Sequence, residues 1–158
     1  MGAKKFVLFG SCGVLDDGKV KDRIIIPVAA LRDEGTSYHY LAAAPEIQAA
    51  PASIQAVEHV LASLGYSYIK GKTWTSDGIY RETKAAIQER RQEGCLAVEM
   101  ECASMLAVAK YRNIPFIQFL YGADSLSKDT WEIRDLALHG LPQAEKYMTL
   151  ALECGLAL

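Results

Sequence analysis

The sequence lacks long hydrophobic runs and any large excess of charge of one sign. Its apolar stretches, such as residues 24–31, fall far short of the roughly 20 residues that a membrane helix needs, and no basic start precedes an apolar segment at the N-terminus. The 17 Lys and Arg residues face 19 Asp and Glu, for a net charge of -2, so no broad positive field attracts nucleic acid or an anionic membrane. We therefore expect a cytoplasmic protein that binds a small molecule, with no nucleic-acid and no membrane partner.

Paired cysteines and clustered histidines are also absent. The cysteines and histidines of the chain are widely spaced, and no two cysteines form a C-x-x-C pair: Cys12, Cys95, Cys102, Cys154, His39, His59 and His139. Such spacing gives little support to a zinc site. We expect no metal ion, and reduced, mostly buried thiols, since free cysteine packs like a small hydrophobic residue.

The remaining composition is that of an ordinary globular domain. Of the 158 residues, 51% are hydrophobic and 23% are charged, as in most folded soluble chains. A chain of this length buries about 70% of the surface that its unfolded form exposes, which is enough for a core without disulfide or metal cross-links. We predict one domain over residues 1–158.

Predicted strands and helices alternate along the chain. Short apolar or alternating runs predict strands over residues 5–9, 23–31, 66–75, 95–98 and 115–121. Helical spacing or a charged surface pattern predicts helices over 53–64, 82–93 and 102–109, and a last helix from Pro142 that ends at Gly155. This alternation implies an α/β fold with helices layered on a mixed, largely parallel sheet, in which ligands bind beyond the carboxyl ends of the strands.

Single residues refine these predictions. Pro27 favours an edge position or a bulge in the second strand. Ser53 is a candidate N-cap and Gly65 a candidate C-cap glycine of the first long helix. The last helix is predicted to have one apolar face, formed by Ala144, Tyr147, Met148, Ala151 and Leu152.

Polar clusters follow three of the predicted strands. Residues 10–13 read Gly-Ser-Cys-Gly, and consecutive backbone N–H groups there can form an anion-binding nest, with the Ser11 hydroxyl as a further donor. The alternative is a tight turn of small residues. In the second cluster, Glu99 and Glu101 flank Met100, and their carboxylates can accept hydrogen bonds from a ligand diol or bind a metal. The alternative is a helix N-terminus that favours acidic residues through its dipole.

Asp124 forms the third cluster, after a mostly apolar strand and Gly122. Partial desolvation at the strand end raises a carboxyl pKa toward the range that is useful for a general acid. A capping aspartate is the alternative.

The three clusters and one further segment together resemble the purine and uridine nucleoside phosphorylase superfamily. The resemblance covers nearly the whole chain and rests on residues 10–15 (GSCGVL), 32–37 (RDEGTS), 98–103 (VEMECA) and the pair Ala123-Asp124, in that order and approximate spacing. The VEME segment is the most specific part. The RDEGTS segment resembles the uridine phosphorylase-like branch of Gram-positive type.

The resemblance implies roles for residues at the sugar and phosphate. Ser11, with Gly10 beside it, matches the hydroxyl residue that contacts phosphate. Glu101 matches the carboxylate that binds the ribose 2′- and 3′-hydroxyls, and Met100 matches the residue that packs against the sugar.

The resemblance also implies roles for residues near the base of the nucleoside. Asp124 matches the aspartate with which purine-specific members protonate N7 of the leaving base, and Glu99 lies beside the base pocket. Ile79 and Tyr80 fall where the family places an aromatic pair near the base, with Ile79 in place of the usual phenylalanine.

The resemblance implies a three-layer α/β/α domain. The reaction it implies is phosphorolysis of a purine or uridine ribonucleoside in nucleoside salvage. The products are a free base and ribose 1-phosphate, and no cofactor is expected beyond inorganic phosphate as co-substrate. Asp124 favours a purine, whereas the RDEGTS segment favours uridine-type members.

Two departures from the family keep alternatives open. Leu8 stands where active phosphorylases have an arginine for phosphate, and an aliphatic side chain cannot neutralise a phosphate dianion. The chain also begins just before the GSCG strand, so the resemblance implies that the first third of a family member is absent. Hydrolytic cleavage, as in the methylthioadenosine/S-adenosylhomocysteine nucleosidases, and a catalytically silent nucleoside-binding or structural fragment are the alternatives. An exposed sheet edge or apolar face then predicts a homo-oligomer, a dimer or hexamer.

Overall fold

A curved, mixed sheet of six strands forms the centre of the molecule. The structure, a computed structural model, describes residues 2–128, 130–138 and 141–158, the side chains of residues 138 and 141–145 excepted. The strands are Phe6–Val14 (β1), Ile24–Asp33 (β2), Glu46–Gln48 (β3), Tyr68–Ser76 (β4), Cys95–Glu99 (β5) and Phe116–Ser125 (β6). Their order in the sheet is β3-β2-β4-β5-β1-β6. Long parallel pairings join β1 to β6 and β2 to β4, while β3 and β5 add antiparallel pairs with β2 and β1.

The sheet closes on itself through an additional pairing of β2 with β6. Ile25 pairs antiparallel with Leu120 at this contact. Side chains from the strands fill the interior of the curve, among them Cys12, Val14 and Leu96. All three are buried, so the curved sheet encloses a packed core.

Helices cover the outer surfaces of the sheet. They are Asp17–Val20 (α1), Pro51–Ser63 (α2), Lys84–Gln92 (α3), Cys102–Arg112 (α4) and Leu141–Ala157 (α5), with short 3-10 turns at Thr36–His39, Ile79–Arg81 and Arg134–Leu138. Packing of α2 and α5 against β2 and β6 buries Leu61, Phe119 and Leu150. A second cluster joins Leu106 of α4 to Ala30 of β2. The predicted α/β fold with a mixed sheet between helices is therefore confirmed.

Pro27 lies at an irregularity inside the sheet. Its strand, β2, has neighbours on both sides, and the register with β4 shifts between Pro27 and Ala29. Because proline has no N–H to donate to the ladder, a bulge accommodates it where a regular central strand would not. The sequence predicts either an edge position or a bulge at Pro27, and the bulge is confirmed.

The prediction of a turn or nest at residues 10–13 is wrong. Strand β1 does not end near Phe9 but continues to Val14, and Ser11 pairs with Tyr121 of β6. Glycine and serine have weak strand propensity, and long-range pairing overrides it here. An extended backbone cannot curl its N–H groups around one anion, so any anion contact at this point falls to the Ser11 hydroxyl.

Helix α2 starts earlier than the sequence predicts. It begins at Pro51 after Ala50, while Ser53 is buried inside the first turn and does not cap it. Proline suits a first helical position because its missing N–H would have no intrahelical partner there. Gly65 follows the C-cap residue with φ +71, which confirms the predicted glycine at the helix end.

Helix α5 differs from its prediction in both length and face. It continues through Gly155 to Ala157. Tyr147 and Ala151 are buried as predicted, but Met148 is 53% exposed and Leu152 is 65% exposed. Cys154 completes the buried face instead. The side chain of Ala144 lies outside the described residues.

Candidate functional site

A cavity of about 450 Å³ opens where β1, β5 and β6 adjoin. Six residues that the sequence analysis predicts for the site line it: Ser11, Ile79, Glu99, Met100, Glu101 and Asp124. Cys12, Gly13, Glu82, Val98, Leu126, Trp131 and Leu136 complete the described lining. Two predicted residues, Gly10 and Tyr80, are not part of it. The structure thus brings residues that are more than 100 positions apart in the sequence to one small space.

Glu99 is a buried anchor of the cavity wall. Its side chain is 5% exposed, and its Oε1 accepts a hydrogen bond from Thr75 Oγ1 at 2.6 Å. Its Oε2 accepts from the backbone N of Glu101 at 2.8 Å and of Cys102 at 2.6 Å. Burial nevertheless raises the pKa of the Glu99 carboxyl, against these hydrogen bonds. With both oxygens occupied, Glu99 fixes the first turn of α4 and leaves little acceptor capacity for a ligand.

Glu101 differs from Glu99 in its surroundings. It lies at the N-terminal end of α4, and its side chain is exposed at the cavity. Its Oε2 accepts one hydrogen bond, from the Met100 backbone N at 3.3 Å, and Oε1 has no protein partner among the described residues. Met100 is 44% exposed beside it. Glu101 therefore presents an acceptor to the cavity on a backbone that Glu99 holds in place.

Asp124 stands at the end of β6, between a buried strand and the cavity. It is 9% exposed, and its Oδ2 accepts a hydrogen bond from Trp131 Nε1 at 2.7 Å. Burial raises the pKa of the Asp124 carboxyl, while the Trp131 hydrogen bond and the charge of Arg134 oppose that rise. A carboxyl with a raised pKa and one unoccupied oxygen is suited to donate a proton.

Gly13 lets β1 lie close to the side chains of Val98 and Leu126 beside the cavity. A Cβ atom at Gly13 would lie 2.9 Å from Val98 Cγ1, 3.0 Å from Leu126 Cδ1 and 3.6 Å from Asp124 Oδ1. Only glycine lets β1 approach β5 and the end of β6 this closely.

The segment that carries Trp131 is held against the sheet. Ser125 and Glu132 exchange backbone hydrogen bonds of 2.9 and 3.0 Å, and Leu126 N donates to Val14 O at 2.8 Å. Asp17 accepts from Ser125 Oγ at 2.9 Å and forms an ion pair with Arg134 at 2.9 Å. These contacts position the indole over Asp124.

The cavity is rich in carboxylates and has no cation in its described lining. Glu82, Glu99, Glu101 and Asp124 face it, and no lysine, arginine or histidine is among the described residues that line it. Leu8, where the resemblance leads one to expect a phosphate-binding arginine, packs against an apolar cluster that includes Phe116. The described lining thus favours a neutral ligand with hydrogen-bond donors over an isolated dianion.

Ile79 and Tyr80, which the resemblance places near the base, differ in their relation to the cavity. Ile79 lines the cavity and is 73% exposed, whereas Tyr80 is 84% exposed. The Tyr80 ring lies over Gly78, where a Cβ would meet its Cζ at 2.8 Å. A contact of Tyr80 with the base remains a prediction.

Glu82 and Trp131 are cavity residues that the sequence analysis missed. Glu82 falls within a segment that reads as a charged surface helix, although α3 begins two residues later, at Lys84. Trp131 follows Asp124 by seven residues in a segment without regular periodicity. The one sequence feature that could have indicated Trp131 is an aromatic residue shortly after a candidate acid at a strand end.

The RDEGTS segment does not reach the cavity. Arg32 is buried, and its guanidinium donates from Nε to Ser37 Oγ at 2.8 Å and from Nη1 to Ala42 O at 2.7 Å. Glu34 accepts from Ser37 N at 2.9 Å and from Ser104 Oγ of α4 at 2.7 Å. The segment folds its own loop and fastens it to α4, the helix at whose N-terminal end Glu101 lies.

A larger groove, of about 980 Å³, lies elsewhere on the surface and contains none of the predicted site residues. Lys21, Arg23 and Lys146 line it together with Asp22 and Asp135. Its mixed charges, and the absence of any predicted site residue from its described lining, make the smaller cavity the better candidate.

Across the described parts of the chain, no group of three or more His, Cys, Asp or Glu side chains could hold a metal ion; His139 lies outside them. No helix within the same residues is long and apolar enough to cross a membrane.

Comparisons with known proteins identify relatives. The model of the phosphorylase superfamily matches residues 1–152. An uncharacterised protein of Acanthamoeba polyphaga mimivirus is 27% identical over 128 residues, which cover 81% of this chain and 49% of that protein. The guanosine phosphorylase of Halorubrum lacusprofundi is 25% identical over 118 residues, which cover 72% of this chain and 47% of that enzyme. The chain spans about half the length of the curated relatives it matches.

Solved structures share the fold. The purine nucleoside phosphorylase of Toxoplasma gondii, in complex with immucillin-H, matches with a TM-score of 0.79 and 21% identity, over 99% of this chain and 65% of that one. The AMP nucleosidase of Bacteroides thetaiotaomicron matches with a TM-score of 0.75 and 22% identity, over 96% of this chain and 59% of that one.

Proposed function

This chain belongs to the phosphorylase superfamily, and on that premise we propose that its cavity binds a purine ribonucleoside and takes part in cleavage of the N-glycosidic bond, with inorganic phosphate as the acceptor of the ribose. The observation that carries this proposal is the meeting of Ser11, Glu101 and Asp124 in one cavity. Each has the chemistry that one part of the substrate requires.

The sugar belongs at the Glu101 end of the cavity. A carboxylate with a free oxygen can accept hydrogen bonds from the ribose diol, and Met100 offers an apolar surface beside it. Because cleavage gives the ribose an oxocarbenium-like positive charge, a fixed carboxylate at this end also stabilises the transition state.

The base belongs at the Asp124 end. As the bond from C1′ to N9 breaks, its electron pair moves onto the purine, and a protonated Asp124 neutralises the base by donating to N7. A phosphate oxygen forms the new bond to C1′. Trp131 holds Oδ2 of Asp124, which leaves the other oxygen for N7.

Phosphate requires a positive charge that the described lining lacks. We propose that Ser11 contacts it and that the neutralising groups come from outside this lining, from a neighbouring subunit of a homo-oligomer or from sequence that the longer relatives possess. The same lack of a cation favours a second candidate function, hydrolysis, since an attacking water needs no such charge.

The test is base release from inosine, guanosine, adenosine, uridine and methylthioadenosine, each with and without phosphate, followed by chromatography. We expect a purine base to be released only with phosphate. Release without phosphate would support hydrolysis instead, and no release from any substrate would contradict both cleavage reactions and favour a silent nucleoside-binding fragment.

Asp124→Asn separates the acid role from general damage to the site. We expect it to slow purine release by about 100-fold or more, the range typical of a lost general acid, and to slow uracil release less, since uridine has no N7. Glu89→Gln, on the exposed face of α3 away from the cavity, is the matched control and should leave the rate unchanged. Equal slowing for both bases would remove Asp124 from the acid role.

A further inference from the structure

The larger groove presents hydroxyl groups that have no partner in the protein. Tyr66, Tyr121 and Tyr147 line it, and none of their hydroxyls makes a hydrogen bond with a described residue. By contrast, the hydroxyl of Tyr68, outside the groove, donates to Glu58 at 3.2 Å. Among the described residues no tyrosine oxygen is both buried and unpaired, so the three hydroxyls open onto the groove.

The rings of these three tyrosines form a wall of the groove, which we call the tyrosine wall. Tyr121 and Tyr147 are stacked with ring centres 4.7 Å apart, and Tyr147 meets Phe119 of the core edge to face at 6.1 Å. This packing holds the hydroxyls in place before a ligand binds, which lowers the entropy cost of binding. Burial raises the pKa of Tyr121 and of Tyr147, so both hydroxyls stay protonated at neutral pH and can donate.

Positive side chains adjoin the tyrosine wall. Lys146 Nζ lies 5.2 Å from the centre of the Tyr66 ring and 5.3 Å from that of the Tyr147 ring. Lys21 and Arg23 line the same groove. None of these three cations forms an ion pair with a described residue, so their charges are available to an anionic ligand.

The other charges of the groove show what else the ligand must carry. Arg134 and Lys128 are already in ion pairs, with Asp17 and with a neighbouring glutamate. Asp22 and Asp135 line the groove without a cation partner among the described residues, and the charge of Asp135 reaches the stacked tyrosines. Because a carboxylate only accepts hydrogen bonds, a ligand that suits this groove needs hydroxyl donors as well as an anionic group.

We propose that the groove is a second ligand site, which binds a sugar phosphate. The unpaired cations receive the phosphate, and the tyrosine wall and Asp135 receive the sugar hydroxyls. A free anion or a free sugar would satisfy only one of these two sets of groups. The volume of about 980 Å³ is ample for such a ligand. This inference goes beyond the proposed function and does not depend on it, because the described linings of the groove and the smaller cavity share no residue.

Titration calorimetry with ribose 5-phosphate, ribose and inorganic phosphate tests the site. We expect the wild type to bind ribose 5-phosphate at least about tenfold more tightly than ribose or inorganic phosphate. Lys146→Gln removes a cation and should weaken binding of ribose 5-phosphate by about tenfold. Tyr147→Phe keeps the ring but removes the hydroxyl, and should weaken it by about fivefold. Tyr68→Phe is the matched control and should leave the affinity unchanged, because its hydroxyl lies outside the groove.

The smaller cavity is a competing location for a sugar phosphate, and inosine separates the two. Lys146→Gln and Tyr147→Phe should leave the affinity for inosine unchanged, and Glu101→Gln should leave the affinity for ribose 5-phosphate unchanged. Loss of ribose 5-phosphate binding in Glu101→Gln but not in Lys146→Gln would place the ligand in the cavity and overturn the proposal. Equal affinity of the wild type for ribose 5-phosphate and inorganic phosphate, or no binding of ribose 5-phosphate, would also overturn it. Circular dichroism checks that each variant is folded.

Discussion

Two glutamates separated by one residue do different work because their oxygens meet different partners. Glu99 is 5% exposed and is hydrogen-bonded at both oxygens, while Glu101 keeps an oxygen free at the cavity. The sequence predicts both as site residues. Only the packing of β4 against β5 shows that Glu99 anchors the helix and that Glu101 is the residue able to bind a ligand. Likewise, the sequence places Trp131 only seven residues after Asp124, but the fold of the intervening segment is what brings its Nε1 to the carboxylate.

Trp131→Phe tests the contact that tunes the candidate acid. The indole N–H donates to the Asp124 carboxylate at 2.7 Å and so stabilises its charged form. Phenylalanine keeps a ring but removes the donor, so the pKa of Asp124 should rise above its already raised value, and the proton should be retained to higher pH. Carbon-13 NMR titration of the Asp124 carboxyl measures this directly, with Asp124→Asn to assign the signal. An unchanged midpoint would mean that the hydrogen bond does not tune the acid.

At the scale of secondary-structure elements, the site depends on how α4 is fastened to β4 and β5. Thr75 of β4 is fully buried; its Oγ1 donates to Glu99 and accepts from Ala103 N at 3.0 Å. This one hydroxyl therefore links a strand to the first turn of the helix that carries Glu101. Because the hydrophobic pattern alone predicts β5 and α4 well, the elements were predictable, whereas the cross-strand hydroxyl that joins them was not.

Thr75→Val should destabilise the fold. It leaves the Ala103 N–H without its acceptor and removes the short hydrogen bond to Glu99, a loss of about 1–3 kcal/mol for buried groups. Thr73→Val is the matched control, since Thr73 Oγ1 reaches Glu99 Oε1 only at 3.5 Å and Ala97 O at 3.2 Å. Urea denaturation measures both free energies of unfolding. An equal cost for the two variants would contradict the special role of Thr75.

At the scale of the whole molecule, closure of the sheet was the feature least accessible from the sequence. Periodicity predicts the strands, but one antiparallel contact between Ile25 and Leu120 joins β2 to β6, and no local pattern marks it. Strand pairing also extends β1 through residues 10–13, where small residues alone suggest a turn. Local patterns predict elements, and long-range packing decides where they end and meet.

The outer face of α5 should mediate self-association. Met148, Leu152 and Leu156 are 53%, 65% and 78% exposed at a spacing of four residues, and an apolar stripe of this kind favours burial against another surface. We predict a dimer or larger species by light scattering, and a shift toward monomer in the double variant Leu152→Glu/Leu156→Glu. A wild-type monomer at high concentration would contradict this.

The most direct test of the account is whether the cavity recognises the ribose diol through Glu101. Titration calorimetry with inosine, 2′,3′-dideoxyinosine and hypoxanthine, on the wild type and Glu101→Gln, isolates that contact. We expect the wild type to bind inosine at least about tenfold more tightly than either ligand without the diol, a difference expected of hydrogen bonds to a charged group. Glu101→Gln should remove most of this difference. Equal affinity of the wild type for all three ligands, or an unchanged preference in Glu101→Gln, would contradict it.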